Sequence, residues 1–500
     1  MRSKKAFKNI FSSFVTQLVT LICGFITPVL IIKQYGSEVN GLVSSITRFL
    51  AYISLLDAGF GPVLKSVLYK PLAKKNKEEI EGLLKSGQKF FHKIAFIFIV
   101  YIIVLMIVYP MIVTDFEFIF TASLILILAI RTFFEYFFGI TYKLFLQANQ
   151  KSYIVSNIQL IFLIINTLTI VILIKLNFSI HLVKLISVLI FVLKPIAQNI
   201  YVRKKYNFNL KEVKGIKIKQ KWDGLAQHIA SIIHTNTDIA ILTLMSNLVE
   251  VSIYSVYSMI TNGLRLISQC FNEAMESVFG NMLANKENNN LENKFGLYEI
   301  LYFSIIVVLY GCSIVLITPF VKVYTLDIND ANYLRSLFGY MLVLGELCWA
   351  IRQPYNNLIK AAGHFKETKK GAFIEAMCNI ILSIILVKQY GIVGVAIGTL
   401  VAMLMRTVEF IYHTNKYILN RNIFVNIKKI LLVILELSCI ILIASYLPSL
   451  PYTGYINWIM NAFCVFLVAC FVTIIFKIIF YKKELRLIVN VFKKVMKKWK

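Results

Sequence analysis

Long apolar runs, separated by charged or turn-forming residues, recur along the whole chain. An α-helix of about 20 apolar residues crosses the hydrocarbon core of a bilayer, which is about 30 Å thick. The runs therefore predict an all-α polytopic membrane protein with about fourteen transmembrane helices, at 10–33, 39–63, 93–114, 117–139, 153–175, 180–201, 222–247, 251–279, 297–319, 333–357, 372–388, 391–413, 427–447 and 455–480. Tight turns are predicted at 115–116 and 389–390.

The distribution of lysine and arginine tests this count independently, because short cytoplasmic connections retain basic residues. With the N-terminus inside the cell, the even-numbered connections should be basic. Connections 64–93 and 202–221 each carry eight lysines and arginines. The odd-numbered connections carry few, and several hold acids such as Asp115 and Asp327. The alternation predicts that both termini lie in the cytoplasm.

Two sets of six spans flank the basic segment 202–221 and show weak self-similarity at an offset of about 212 residues, as between Glu38-Val39 and Glu250-Val251. Because six is an even number, both copies run in the same sense, which predicts two lobes related by a pseudo-twofold axis along the membrane normal. The predicted domains are an N-lobe at 1–201, a basic cytoplasmic linker at 202–221, a C-lobe at 222–413, and the last two helices with a basic tail at 414–500.

Composition narrows the function classes. Hydrophobic residues make up 58% of the chain and the net charge is +28, but the longest polar stretches, about 20 to 30 residues, are too short for a soluble domain that binds nucleic acid. The eight cysteines lie in apolar runs without paired spacing and are interpreted as buried hydrophobes. Motifs for nucleotide, metal or nucleophilic chemistry are absent from the sequence, so we expect neither enzymatic activity nor a cofactor.

Charged and polar side chains within the apolar runs are the candidate functional residues, because each charge in a span costs about 2.5 to 3.5 kcal/mol on insertion scales. On span eight they recur every three or four residues and so share one helical face. Spans seven and two carry shorter polar stripes. Together the stripes predict a hydrated cleft between the lobes, lined by Asn262, Arg265, Gln269, Asn272 and Glu276 on span eight, Thr235 and Asp238 on span seven, and Arg48 and Tyr52 on span two.

Roles are predicted for the charged members of this set. Arg48 and Arg265, with Arg352 at the inner end of span ten, are the predicted substrate-binding cations. Asp238 and Glu276 are candidates for coupling to H+ or Na+. Polar stripes also occur wherever membrane helices pack together, so a structural role stays open for the uncharged residues. Close charge pairs are a third group: Arg131–Glu135 is interpreted as a neutralising pair, and Arg406–Glu409 is left open.

Four segments, none of them a catalytic motif, resemble a known family of transporters. They are 35–42 (YGSEVNGL), 56–61 (LDAGFG), 361–366 (AAGHFK) and 390–399 (YGIVGVAIGT). The chain resembles, over essentially its full length, the Wzx-like polysaccharide flippases of the MOP superfamily. The resemblance implies a fourteen-helix fold in two lobes. It also implies transport of undecaprenyl-pyrophosphate-linked oligosaccharide across the bacterial cytoplasmic membrane, with basic cavity residues that meet the pyrophosphate, matched here by Arg48 and Arg265.

The implied substrate leads to surface polysaccharides, such as O-antigen, capsule, exopolysaccharide or teichoic-type polymers. The expected partners are the lipid-linked oligosaccharide, membrane lipids, a polysaccharide polymerase and glycosyltransferases. Three alternatives remain. A MATE-type drug antiporter would favour an acidic cavity, which the arginines argue against. A membrane polysaccharide polymerase usually has a sizeable outer loop, whereas the predicted outer loops have about 4 to 13 residues. A lipid II flippase differs only in the lipid-linked substrate.

Overall fold

The computed structural model describes residues 2–57, 59–210, 212–218, 225–284, 288–364 and 366–487. Within these ranges the regular structure is helical, and no strand is present. The chain divides into two compact units, Met1–Ser255 and Val256–Lys500. The domain limits predicted from the sequence at 201, 221 and 413 stay predictions.

Among the residues described in the first unit, there are nine α-helices and the beginning of a tenth. Their apolar residues form a core that includes Leu42, Leu84 and Phe145. The helices are α1 (Arg2–Tyr35), α2 (Ser37–Ala51), α3 (Phe60–Lys74), α4 (Lys77–Ile112), α5 (Phe118–Phe134), α6 (Ile140–Ala148), α7 (Ser152–Lys175), α8 (Ile180–Tyr206), α9 (Leu225–Met245) and α10 (Leu248–Ala284). A 3-10 turn at Tyr52–Leu55 follows α2, and a π-helical turn at Glu135–Gly139 joins α5 to α6.

The second unit contains the rest of α10 and five more helices among its described residues. These are α11 (Asn288–Tyr324), α12 (Ser336–Ala362), α13 (Lys369–Thr414), α14 (Phe424–Ser445) and α15 (Tyr455–Phe480). A second π-helical turn, Asn415–Leu419, ends α13.

Every predicted span coincides with one or more of these helices. In the described part of the chain, eight helical segments are long and apolar enough to cross a membrane, or nine if the broken pair α2–α3 forms one span. The other predicted spans lie on helices with more polar residues. The prediction of an all-helical polytopic membrane protein is confirmed.

Helix α13 contains two predicted spans, 372–388 and 391–413, and the turn between them. Gly391 has φ 53° and ψ −134°, which are not helical values. The limbs on either side lie against each other, since the Asn379 side-chain amide donates a hydrogen bond to the Thr399 hydroxyl at 2.8 Å. The tight turn predicted at 389–390 is therefore present, and glycine suits it because its φ is positive.

Helix boundaries recur at the interval found in the sequence. Helix α2 begins at Ser37 and α10 at Leu248, whereas α4 ends at Ile112 and α11 at Tyr324. The two pairs are offset by about 211 and 212 residues. The order of helices thus supports an internal repeat.

Within the first unit, α2 and the beginning of α10 are in close contact. A Cβ atom on Gly41 would overlap the carbonyl oxygen of Leu248. The neighbouring Asn40 amide donates a hydrogen bond to the Ser252 hydroxyl at 2.8 Å. Small residues that let helix backbones approach, with polar side chains bonding across them, are typical of membrane helix packing. This contact holds α10 beside α2, which carries Arg48.

Candidate functional site

Two residues predicted to line a cleft, Arg48 and Tyr52, lie beside α9 in the first unit. Both are half-buried. The Tyr52 hydroxyl is within hydrogen-bonding reach of Thr237, and the charges of Arg48 and Asp238 act on it. The structure therefore brings together Arg48, Tyr52 and Asp238, which the sequence placed on two separate stripes.

Asp238 is itself buried, with 3% of its surface exposed. Its carboxylate accepts a hydrogen bond from the Tyr254 hydroxyl at 2.7 Å. The Asp238 carboxylate is thus held inside the first unit by a hydroxyl donor, and a buried acid in a membrane helix is a functional candidate by default. This geometry is compatible with the predicted role of Asp238 in ion coupling, which stays a prediction.

In the second unit, Arg265 forms a bidentate ion pair. Its Nε donates to Glu346 Oε2 at 3.0 Å, and its Nη2 donates to Glu346 Oε1. The guanidinium also lies over the ring of Trp349, 4.8 Å from the centroid. The sequence showed no acid within one turn of Arg265 on its own helix, but α12 supplies one. The positive charge of Arg265 is therefore neutralised by Glu346 in this structure.

Arg352 is balanced in the same way. Its Nη1 lies 2.6 Å from Glu375 Oε1, whose other oxygen lies 3.5 Å from Arg406 Nε. Arg406 in turn pairs with Glu409. Two arginines and two glutamates alternate along this chain of contacts, which ties α12 to both limbs of α13. Arg406–Glu409, left open in the sequence analysis, is one link in it.

The uncharged stripe residues differ in their surroundings. Asn272 is buried and bonded to neighbouring helices, since its side chain donates to the Asn357 amide oxygen at 3.2 Å and accepts from the Tyr298 hydroxyl. Asn262 is exposed and Gln269 half-buried, and whether they line a cleft stays a prediction. The side chains of Thr235 and Glu276 lie outside the described residues.

Sequence reasoning missed a charge cluster around the fully buried Glu299 on α11. The Glu299 carboxylate is bound by the Arg421 guanidinium at 2.9 and 3.0 Å and by the Lys429 ammonium. The Tyr355 hydroxyl and the Asn426 amide donate to it at 2.7 and 3.0 Å. The cluster joins α11, α12 and α14. A glutamate within an apolar run was the signal that could have identified it.

A second missed pair connects the last two helices. Lys477 on α15 donates to Glu436 on α14, and both side chains are buried. Like the Glu299 cluster, this pair fixes a helix that lies outside the predicted repeat. Ion pairs at such depth are expected to be held by their partners, because an unpaired charge would be costly.

The predicted Arg131–Glu135 pair is not the main contact of either residue. The Arg131 guanidinium lies over the Phe191 ring at 4.1 Å. Glu135 Oε1 lies 3.7 Å from the ammonium groups of Lys143 and Lys194. In the first unit, the Glu135 carboxylate thus faces three cations. In the arginine–glutamate pairs of the second unit described above, each arginine has a glutamate.

No family model and no curated protein matches this chain. Solved structures do. "Lipid II flippase MurJ, inward closed conformation" has a TM-score of 0.67 at 18% identity, with 94% of this chain and 98% of that chain covered. An inward-facing MATE multidrug resistance transporter of the MOP superfamily has a TM-score of 0.59 at 11% identity, covering 81% and 98%.

A MATE transporter from Vibrio cholerae, VcmN, has a TM-score of 0.54 at 13% identity, covering 83% of this chain and 97% of its own. Such identities establish a shared architecture only. The chain shares the fold of these solved structures. These neighbours are transporters and flippases, in keeping with the absence of catalytic motifs in the sequence. The finer resemblance to Wzx-like flippases stays a prediction.

Proposed function

We propose that this protein is a flippase that moves undecaprenyl-pyrophosphate-linked oligosaccharide from the inner to the outer leaflet of the bacterial cytoplasmic membrane. The route is alternating access, both termini lie in the cytoplasm, and the product supplies surface polysaccharide assembly. The observation that carries this proposal is the fold likeness to a lipid II flippase over 94% of the chain. The likeness to the MATE transporters covers less of the chain, 81% and 83%.

The charges favour an anionic substrate as well. A pyrophosphate linkage is negatively charged, and charges attract strongly where water is scarce. Of the three predicted cations, Arg265 and Arg352 are each bound to a glutamate. They would have to exchange that partner to bind substrate. We would test Arg48 first because it is half-buried and because its charge, like that of Asp238, acts on Tyr52.

Depletion of the protein should cause the lipid-linked oligosaccharide to accumulate on the cytoplasmic side and surface polysaccharide to disappear. Complementation with the Arg48→Ala variant should restore less than about a tenth of wild-type export, because one charged contact to the diphosphate is lost. Arg203→Ala, which removes an exposed arginine at the end of α8, is the matched control and should restore export. Equal export by the two variants, at equal abundance in the membrane, would remove Arg48 from the mechanism.

The same depletion distinguishes the alternatives. Accumulation of lipid II with normal surface polysaccharide would identify a lipid II flippase. Loss of efflux of cationic drugs, with both lipid-linked pools unchanged, would identify a drug antiporter. Surface chains shortened to a single repeat would indicate a polymerase. A partnership with a polymerase and glycosyltransferases is part of the proposal and predicts their co-purification in mild detergent.

Coupling to H+ or Na+ is a further part of the proposal, with Asp238 as its carrier within the described residues. Asp238→Asn keeps the hydrogen bond to Tyr254 but removes the titratable group. Wild-type transport in proteoliposomes should respond to an imposed proton or sodium gradient, whereas the variant's transport should not. If wild type and Asp238→Asn respond equally to both gradients, Asp238 has no role in coupling.

A further inference from the structure

A π-helical turn at Glu135–Gly139 lies between α5 and α6 in the first unit. Such turns are rare and occur often at functional sites. His92 on α4 stacks on Phe137 with centroids 4.1 Å apart, and its Nε2 lies 2.9 Å from the Phe137 carbonyl oxygen. A Cβ on Gly139 would lie 2.8 Å from Pro195 Cβ. Because Gly139 has no side chain, α8 approaches the turn closely at Pro195. Pro195 directly follows Lys194 in the chain.

The close approach of α8 to the turn brings together more positively than negatively charged side chains. Glu135 lies 3.7 Å from both Lys143 and Lys194, farther than the 2.7–2.9 Å of a direct charge-assisted hydrogen bond. Arg131 is the third cation. Among the described residues, Glu135 is the acid whose charge acts on Arg131 and Lys194. A second carboxylate, Asp57, acts on the neighbouring Tyr136. Three cations and two carboxylates leave a surplus of one positive charge around the π-helical turn.

An unsatisfied donor lies on the same face of α8. Gln198 follows Lys194 by four residues, or about one helical turn, and so projects from the same side. It is 1% exposed, and its Nε2 has no hydrogen-bond partner among the described atoms. If the oxygen and nitrogen of the Gln198 amide exchanged places, the oxygen would be the unpaired atom, but the exchange would not supply an acceptor for Nε2. The surplus of cations and the unpaired N–H donor would both be satisfied by one kind of ligand, an anion with several oxygen atoms.

The site is partly open. The side chain of Lys143 is 37% exposed and that of Glu135 is 27% exposed, whereas Lys194 is 9% exposed. Lys143 and Glu135 are thus the more exposed members of the cluster, and Lys194 is the buried lysine. The arginines of the second unit differ, because each is already in contact with a glutamate at 2.6 Å or by two hydrogen bonds.

We infer that this cluster, defined by Glu135, Lys143, Lys194 and Gln198, binds a diphosphate group. The diphosphate oxygens contact the ammonium groups of Lys143 and Lys194 and the Gln198 amide. The two lysines leave Glu135 when they bind the diphosphate. The role of this site in transport rests on the proposed function. Binding itself does not, so the binding test below stands apart from any export assay.

The test is calorimetric titration of the purified full-length protein, in detergent, with inorganic pyrophosphate at low ionic strength. Wild type should bind it, and Lys194→Met should weaken binding about tenfold or more, because a charged contact is removed. Glu135→Gln should strengthen binding several-fold, because the carboxylate that competes for the lysines is neutralised. A variant that merely damages the fold would not bind more tightly.

Lys184→Met is the matched control. Lys184 is another buried lysine on α8, ten residues before Lys194, or about 15 Å along the helix. It should leave the affinity unchanged. Absence of binding by wild type at millimolar pyrophosphate, equal losses for Lys184→Met and Lys194→Met, or weaker binding by Glu135→Gln would each overturn the proposal.

A diphosphate can be free or attached to a lipid, and competition distinguishes the two. Farnesyl diphosphate should displace pyrophosphate at a lower concentration if the natural ligand is a lipid-linked diphosphate, and at an equal or higher one if it is free. Either result supports the cluster as a diphosphate site. Displacement by phosphatidylglycerol vesicles as effective as that by farnesyl diphosphate would overturn it in favour of a general phospholipid contact.

Discussion

Arg265→Ala is expected to destabilise the protein by about 3–5 kcal/mol, because it leaves Glu346 buried without its cation. Glu346 is 8% exposed and receives two hydrogen bonds from Arg265. The melting temperature of the purified protein, followed by the monodisperse peak in size-exclusion chromatography, should fall by roughly 3–10 °C. Lys388→Ala, which removes an exposed basic residue on α13, should melt as wild type does.

A double variant separates stability from transport. Arg265→Met with Glu346→Met removes both charges and keeps the apolar volume, so much of the lost stability should return. If Arg265 also binds substrate during transport, the double variant will be stable but inactive in export. If it is stable and active, the pair is purely structural. A double variant that melts no higher than Arg265→Ala would contradict the ion pair itself.

The helices could be predicted from the sequence because each span is a local pattern. The run 391–413 begins at Gly391, and the turn there follows from a residue that tolerates positive φ. Helix α2 is a partial exception, since the predicted span 39–63 is interrupted. Its helix ends at Ala51 and α3 begins only at Phe60, after Gly59 in the left-handed conformation at φ 73°.

The partners of the buried charges could not be predicted, because they come from distant parts of the chain. Glu346 follows Arg265 by 81 residues, and nothing in the local pattern selects it over other glutamates. The same holds for Lys194, which reaches Glu135 only because a π-helical turn and Gly139 admit α8. The sequence therefore identified which spans carry charge. It did not show that Arg265 is already paired with Glu346, and this pairing moves the search for an anion site from Arg265 towards the cluster around Lys194.

Loss of the Glu299 carboxylate should be more damaging than loss of any single cation, because two buried cations depend on it. Glu299 is 0% exposed, and Arg421 and Lys429 both bind it. Glu299→Gln keeps the size of the side chain but leaves both cations without their anion. Because removal of one partner from a buried pair costs about 3–5 kcal/mol, we expect destabilisation at or above the top of that range.

Glu117→Gln is the control for this last prediction, since it makes the same change at an exposed position, at the start of α5, whereas the charge of the exposed Glu292 on α11 acts on Arg421 itself. It should melt as wild type does, whereas Glu299→Gln should melt far lower or yield little folded protein. Adding Lys429→Met to Glu299→Gln should recover part of the loss, because one unpaired cation is then gone. Since Lys429 lies on α14, outside the predicted repeat, this recovery would show that buried charge fixes α14 to α11. Equal melting of Glu299→Gln and Glu117→Gln would contradict that role.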